Sequence, residues 1–87
     1  MQVRVTYEGD VQGVGFRFTT REIAMGIGVS GGVENMPDGT VRLVAEGTKD
    51  ELVRLLLKIR VSRLGGHIQG ERREWREAVG LAGFYCR

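Results

Sequence analysis

Three segments of the chain alternate between apolar and polar positions, which is the period of a strand with one buried face. The alternating set is Val3, Val5 and Tyr7, then Val29, Gly31 and Val33, then Val41, Leu43 and Ala45. The turn Met36-Pro37-Asp38-Gly39 separates the last two segments, because proline suits an early turn position and glycine tolerates positive φ. The second and third strands are therefore predicted to form a hairpin.

Two other segments follow helical spacing. The first has apolar residues at Phe16, Ile23, Ala24 and Ile27, and we expect Gly26 and Gly28 to close this helix. The second begins at Thr48-Lys49-Asp50-Glu51, a capping box in which a hydroxyl and a carboxylate each satisfy a backbone N–H group. The predicted buried stripe of this second helix is Leu52, Leu55, Leu56 and Ile59.

The last third of the chain has a weaker pattern, which does not define the course of residues 62–80. We expect a charged, exposed fourth strand from Ile68 to Trp75 and a short last strand from Leu81 to Cys86. The order is then βαββαβ plus a terminal strand. Because βαβ crossovers are right-handed, this order predicts an α+β protein: a ferredoxin-like two-layer sandwich with an antiparallel sheet and both helices on one face. We expect one domain over residues 1–87.

Composition narrows the classes of function. Thirteen Lys and Arg against eleven Asp and Glu give a net charge of +2, whereas nucleic-acid binders cluster many uncompensated cations. A lone cysteine and a lone histidine leave no disulfide and no cluster of metal ligands, so we expect no metal and no cofactor. No apolar run approaches the roughly 20 residues of a membrane span, and the amino terminus starts as a strand rather than a signal peptide. We expect a cytoplasmic monomer with no membrane or nucleic-acid partner.

A glycine-punctuated loop, Gly9 to Gly15, joins the first strand to the first helix. Glycines let successive N–H groups point into one concavity that holds an anion, beside the positive end of the helix dipole. Arg17 adds a planar fork able to grip two phosphate oxygens. The loop is neither a Walker loop nor a dinucleotide fingerprint, since no Gly-Lys-Ser/Thr follows and Phe18 replaces the third glycine. On these residues alone, a plain connector with a surface arginine is an equally good interpretation.

Asn35 ends the second strand. If the third strand lies between the first two, the carboxyl ends of strands one and two share an edge about 10 Å apart. An arginine side chain and a phosphate would fill that gap, and the Asn35 amide can hold a water and a phosphoryl oxygen. Taken by itself, Asn35 is better explained as a turn residue before Pro37.

Together, these two segments closely resemble the acylphosphatase family. The matching residues are Val11-Gln12-Gly13-Val14-Gly15-Phe16-Arg17, Gly31, Val33, Asn35, Asp38, Gly39, Val41 and Glu46-Gly47. The resemblance runs from about Val3 to Ile59 and fades afterwards. It implies that Arg17 binds the phosphate of a small acyl phosphate and that Asn35 positions the attacking water, with residues 11–16 completing the phosphate site. The implied products are a carboxylate and inorganic phosphate.

The chain departs from the family pattern at Gly32, where an aromatic residue is usual, and at Asp10, whose carboxylate we expect to point to solvent. Phe18 is expected to pack in the core and Cys86 to be a small apolar filler. An RNA-binding or regulatory module is a second interpretation, because βαββαβ sheets host both, but only Tyr7 lies in a convincing central strand. A third is the acylphosphatase-like domain of larger carbamoyl-transferring maturation proteins; from the end at Arg87 we expect the stand-alone form.

Overall fold

Each alternating segment is a strand in a computed structural model that describes residues 1–87. The strands are β1 (Gln2–Gly9), β2 (Ser30–Asn35), β3 (Val41–Glu46), β4 (Ile68–Arg76) and β5 (Phe84–Cys86). The helices are α1 (Phe16–Ile27) and α2 (Lys49–Val61), and a short 3-10 helix, Arg63–His67, leads into β4. The predicted βαββαβ order with a terminal strand is confirmed.

The five strands form one sheet in the order β4-β1-β3-β2-β5. The pairs of β1 with β3, β1 with β4 and β2 with β3 are antiparallel, so β1 and β2 run in the same direction with β3 between them, as predicted. β5 pairs in parallel with β2, which makes the complete sheet mixed. The reason is that β4 ends beside Gln2, at the amino end of β1. Residues 77–83 then cross to the opposite edge, and the returning strand must run the same way as β1 and β2.

Both helices pack on one face of the sheet, which we call the covered face. Residues paired on neighbouring strands point to the same side, so β1, β2 and β3 turn their apolar positions towards the helices. These strands contribute Val3, Val5, Tyr7, Val33, Val41, Leu43 and Ala45 to the core. α2 buries the stripe predicted for it, Leu52, Leu55, Leu56 and Ile59. The opposite face, which we call the open face, carries mainly polar side chains. Neither helix has the length and apolar character of a membrane span.

Local sequence explains where each helix begins and ends. α1 lies between Gly15 and Gly28, whose φ angles of 78° and 96° are in a region that favours glycine. α2 begins at the predicted capping box: Glu51 N–H donates to the Thr48 hydroxyl at 3.1 Å, and Thr48 N–H donates to the Glu51 carboxylate at 2.9 Å. Both helices are therefore set in place by signals visible in the sequence.

Glu46, at the end of β3, anchors the crossing segment to the open face. Its carboxylate accepts the N–H groups of Val79 at 2.7 Å, Gly80 at 3.0 Å and Leu81 at 2.8 Å. Gln2 Nε2 donates to the same carboxylate at 2.8 Å, and Glu46 is only 6% exposed. The Val79 N–H above all, together with the other donors, lowers the pKa of Glu46 to about 2 against the effect of burial. One carboxylate thus determines where the chain runs between β4 and β5.

Candidate active site

The glycine loop lies at the carboxyl end of β1, against the amino end of α1. Gly13 and Gly15 both have φ of 78°, which a residue with a side chain rarely adopts. None of the N–H groups of residues 11–15 donates to an acceptor within the protein. Five free donors therefore lie beside the positive end of a helix, which is the arrangement of an anion site.

Arg17 is half-buried in the first turn of α1. One of its terminal nitrogens, Nη1, donates to the main-chain oxygen of Arg87 at 2.6 Å. Arg87 is fixed in turn, because its N–H donates to the main-chain oxygen of Val33 at 2.8 Å. This single hydrogen bond orients the guanidinium and leaves its remaining donors available, since Arg17 forms no ion pair.

Asn35 is in register with Val41 of β3, and Val41 is in register with Tyr7 of β1. Tyr7 and Val41 are buried on the covered face, so the Asn35 side chain lies on that face too, beside the amino end of α1. The Asn35 amide makes no hydrogen bond within the protein.

Arg17 and Asn35 line the same pocket, which has a volume of about 150 Å³. The other residues that line it are Val11, Gly13, Gly15, Phe16, Phe18 and Cys86. The sequence placed these two residues at one edge of the sheet, and the geometry agrees. Gln12 and Val14, which the sequence grouped with the phosphate ligands, are not among the lining residues.

The Gln12 side chain points away from the pocket and ties the loop to the β2–β3 turn. Its Nε2 donates to the main-chain oxygens of Met36 at 2.8 Å and Thr40 at 2.9 Å. The turn is closed by Asp38, whose Oδ1 accepts the Thr40 hydroxyl at 2.7 Å and the Thr40 N–H at 3.0 Å. These bonds, the hydroxyl above all, lower the pKa of Asp38. Gln12 thus fixes the distance between the loop and the strand that carries Asn35.

Arg63, in the 3-10 helix, supports the loop from the other side and was missed by the sequence reasoning. Its Nη1 donates to the main-chain oxygen of Val14 at 2.8 Å, and its Nη2 donates to the Thr19 hydroxyl at 2.9 Å. An added Cβ on Gly15 would lie 2.8 Å from Arg63 Nη2, so a larger residue there would displace this guanidinium. No local pattern around Arg63 signals this role.

Two expectations about individual side chains are wrong. Phe18 is 62% exposed at the pocket rather than packed in the core, because its position on α1 faces away from the sheet. Cys86 is exposed and lines the pocket instead of filling the core, because β5 is an edge strand. Asp10, by contrast, points to solvent as predicted, with its carboxylate 79% exposed.

Tyr7, the aromatic residue considered for stacking on RNA bases, is 1% exposed under the helices. Its ring packs against Phe16 with centroids 5.0 Å apart. It belongs to the core and is not available to a nucleic acid. No group of three or more His, Cys, Asp or Glu side chains is placed to hold a metal ion.

A family model described as Acylphosphatase matches residues 3–85. The chain belongs to the acylphosphatase family. The match corrects the expectation that the resemblance fades after Ile59, because it continues through β4 into β5. The family and the fold support hydrolysis of acyl phosphates as the reaction of this enzyme.

Individual acylphosphatases are similar over nearly the whole chain. The acylphosphatase of Thermus thermophilus is 38% identical over 78 residues, which cover 90% of this chain and 89% of that relative. The crystal structure of acylphosphatase from Bacillus subtilis has a TM-score of 0.90 at 28% identity, covering 99% of this chain and 97% of that one. A structure of full-length HypF has a TM-score of 0.87 at 25% identity, but the match covers only 12% of that much longer chain.

Proposed function

We propose that this enzyme hydrolyses small acyl phosphates to a carboxylate and inorganic phosphate, with Arg17 and the loop holding the phosphoryl group and Asn35 positioning the water. The observation that carries the proposal is that Arg17 and Asn35 line one pocket at the amino end of α1.

Three sources of positive potential support binding of the phosphoryl group in this pocket. The first is the set of free N–H groups of residues 11–15, and the second is the dipole of α1. The third is the guanidinium of Arg17, which can donate two parallel hydrogen bonds to phosphate oxygens. A dianionic phosphoryl group is the ligand that uses all three.

The free amide of Asn35 supports its role towards water. The carboxamide oxygen can accept a hydrogen bond from a water molecule while the NH₂ group donates to a phosphoryl oxygen. A water held in this way lies next to the phosphorus, so part of the entropic cost of bringing the two together is already met.

The chemistry needs no strong acid or base. Water attacks phosphorus, the bond from phosphorus to the acyl oxygen breaks, and its electron pair leaves with the carboxylate. The acid of that leaving group has a pKa of about 4, so the leaving group departs without protonation. The transition state of phosphoryl transfer is loose, so positioning and charge stabilisation suffice, and a phosphoryl oxygen takes the proton of the water.

The walls of the pocket support a small acyl group. Its volume of about 150 Å³ lies below the range of roughly 300–1,000 Å³ common for ligand pockets. Phe18 and Cys86 provide apolar surface at its wall. A short or flat acyl chain would lie against them while the phosphoryl group faces the loop.

The proposal keeps the expectations of a cytoplasmic monomer that acts as one domain and needs neither metal nor cofactor. Phosphate release from benzoyl phosphate in the presence of a chelator measures the reaction and the metal requirement together, and sedimentation measures the mass in solution.

Arg17→Ala should abolish phosphate binding and turnover, because the cationic fork is lost. Asn35→Ala should keep phosphate binding and lower kcat by about 100-fold, since a preorganised contact contributes roughly 3 kcal/mol to the barrier. Arg21→Ala, a change of charge further along α1, is the matched control. Unchanged turnover in either of the first two variants would contradict the proposed roles.

A further inference from the structure

The open face of the sheet carries two adjoining pockets that the proposed reaction does not use. One, of about 290 Å³, lies over β2, β3 and β5 and is half apolar. The other, of about 320 Å³, lies over β1, β3 and β4 and has no hydrophobic lining residue. Arg42 lines both, so the two form one continuous site with an apolar half and a cationic half.

The apolar half is a slot created by Gly32. In the sheet register Gly32 lies between Val44 of β3 and Tyr85 of β5. Because Gly32 has no side chain, a gap separates Val44 from Tyr85, and Leu81 and Ala82 line it from the crossing segment. Tyr85 is 57% exposed, so its ring is available for stacking. A flat ring between Val44 and Tyr85 would bury apolar surface on both sides.

The cationic half is centred on Thr6, which is in register with Arg42 on one side and with Arg72 on the other. Arg4 lies two residues before Thr6 on the same face of β1. Arg4 and Arg42 form no ion pair, and the only side-chain hydrogen bond of Arg4 goes to Gln2 Oε1 at 2.9 Å. Arg72 is 3.6 Å from an exposed carboxylate of Glu8. Three guanidinium groups around one hydroxyl favour a multiply charged anion such as a phosphate.

Glu8 offsets part of the charge of Arg72, but the other acidic neighbours leave Arg4 and Arg42 without an ion pair. Glu74 lines the cationic half, but its carboxylate already accepts two hydrogen bonds from Arg76. Glu34 is in register with Arg42 without forming an ion pair with it.

We propose that this face binds a nucleoside monophosphate, with its base in the slot over Gly32 and its phosphate on Arg42 and Arg4. The spacing decides the class of ligand. Arg4 is in register with Val44, and Val44 is in register with Gly32, so Gly32 and Arg4 are two strand spacings apart, about 10 Å. An aromatic acid is too short to fill both halves, whereas a base joined to a phosphate through a sugar spans them.

The test is an NMR titration of the ¹⁵N-labelled protein with adenosine 5′-monophosphate in a buffer free of inorganic phosphate, which would compete for the same arginines. We expect saturable shifts at Gly32, Val44 and Tyr85. Adenosine without its phosphate should bind there at least about tenfold more weakly, because the charge-assisted hydrogen bonds are missing.

Arg42→Gln should weaken binding by about tenfold or more, and Gly32→Phe should abolish it by filling the slot. Arg54→Gln, which removes the same charge from the exposed side of α2, should leave the affinity unchanged. An added Cβ on Gly32 lies 3.1 Å from the main-chain oxygen of Tyr85, so Tyr85→Ser replaces this variant if it fails to fold.

Three results would overturn the proposal. The first is a set of shifts confined to residues 11–17. The second is wild-type affinity in both Arg42→Gln and the slot variant. The third is tighter binding of a single-stranded oligonucleotide through the same residues, which would make the face a nucleic-acid surface.

Discussion

The side chain of Gln12 joins the glycine loop to the turn that follows Asn35, and removing this side chain tests whether the link organises the candidate site. Gln12→Ala eliminates two partly buried hydrogen bonds, of 2.8 and 2.9 Å. Each such bond contributes about 1 kcal/mol, so the free energy of unfolding should fall by about 2 kcal/mol. For a domain of this size, 1 kcal/mol corresponds to roughly 4–8 °C, and the expected fall in Tm is about 8–16 °C.

Activity should fall as well, although Gln12 does not line the pocket. Without the link, the loop and Asn35 no longer keep a fixed separation, and a misplacement of about 1 Å can lower a rate by 100-fold. We expect kcat/KM for benzoyl phosphate to fall by about 10- to 100-fold below the temperature at which the variant unfolds. Calorimetry and initial rates measure the two effects.

Gln69→Ala is the matched control, because Gln69 is exposed on β4 and its side chain forms no hydrogen bond. It should change neither Tm nor kcat/KM. If Gln12→Ala unfolds within about 2 °C of this control and keeps its activity, the link has no role in the site.

Two further perturbations test other contacts. The pKa of Glu46 lies at about 2 in the folded protein and at 4.5 in the unfolded chain, so Glu46 contributes stability that is complete above pH 4.5 and is lost as the pH falls towards 2. As the pH is lowered from 4.5 to 2, the urea midpoint of unfolding should therefore fall less steeply for Glu46→Gln than for the wild-type protein. Equal slopes would contradict the anchoring role. Arg63→Met should raise the KM for benzoyl phosphate by about tenfold, because the hydrogen bonds to Val14 and Thr19 are lost. Arg63→Lys should not restore the wild-type KM, since a single ammonium cannot reproduce the geometry of the guanidinium fork. A wild-type KM in Arg63→Lys would refute the proposal that Arg63 supports the loop through both Val14 and Thr19.

The elements that sequence predicts well are those stabilised by neighbours in the chain. The capping box of Thr48 and Glu51 and the buried stripe of α2 depend on residues within one or two helical turns. The strands with clear alternation follow from the same kind of short period. These short-range patterns were enough to predict the order and pairing of four strands. The parallel pairing of β5 depends on residues 77–83 crossing the sheet, and no hydrophobic period in the sequence predicts that crossing.

The candidate site was predictable only in part, for a related reason. Arg17 and Asn35 could be singled out because their segments resemble a known family, and the predicted strand order brings them to one edge. The links that support them, from Gln12 to Thr40 and from Arg63 to Val14, span 28 and 49 positions. Contacts between residues so far apart in the sequence cannot be predicted from a hydrophobic pattern. The same holds for Glu46, whose carboxylate meets the N–H donors of Val79, Gly80 and Leu81 only after the chain has started to cross the sheet.

The three-residue strand β5 makes the orientation of Arg17 depend on the least protected part of the sheet. The oxygen that holds Arg17 belongs to Arg87, immediately after this edge strand, and only one neighbouring strand pairs with β5. Edge segments of this length detach at a free energy well below that of global unfolding. Mild denaturant should therefore inactivate the enzyme while the far-ultraviolet circular dichroism of the four remaining strands and both helices is unchanged. Loss of activity would then report the detachment of β5 before the rest of the protein unfolds.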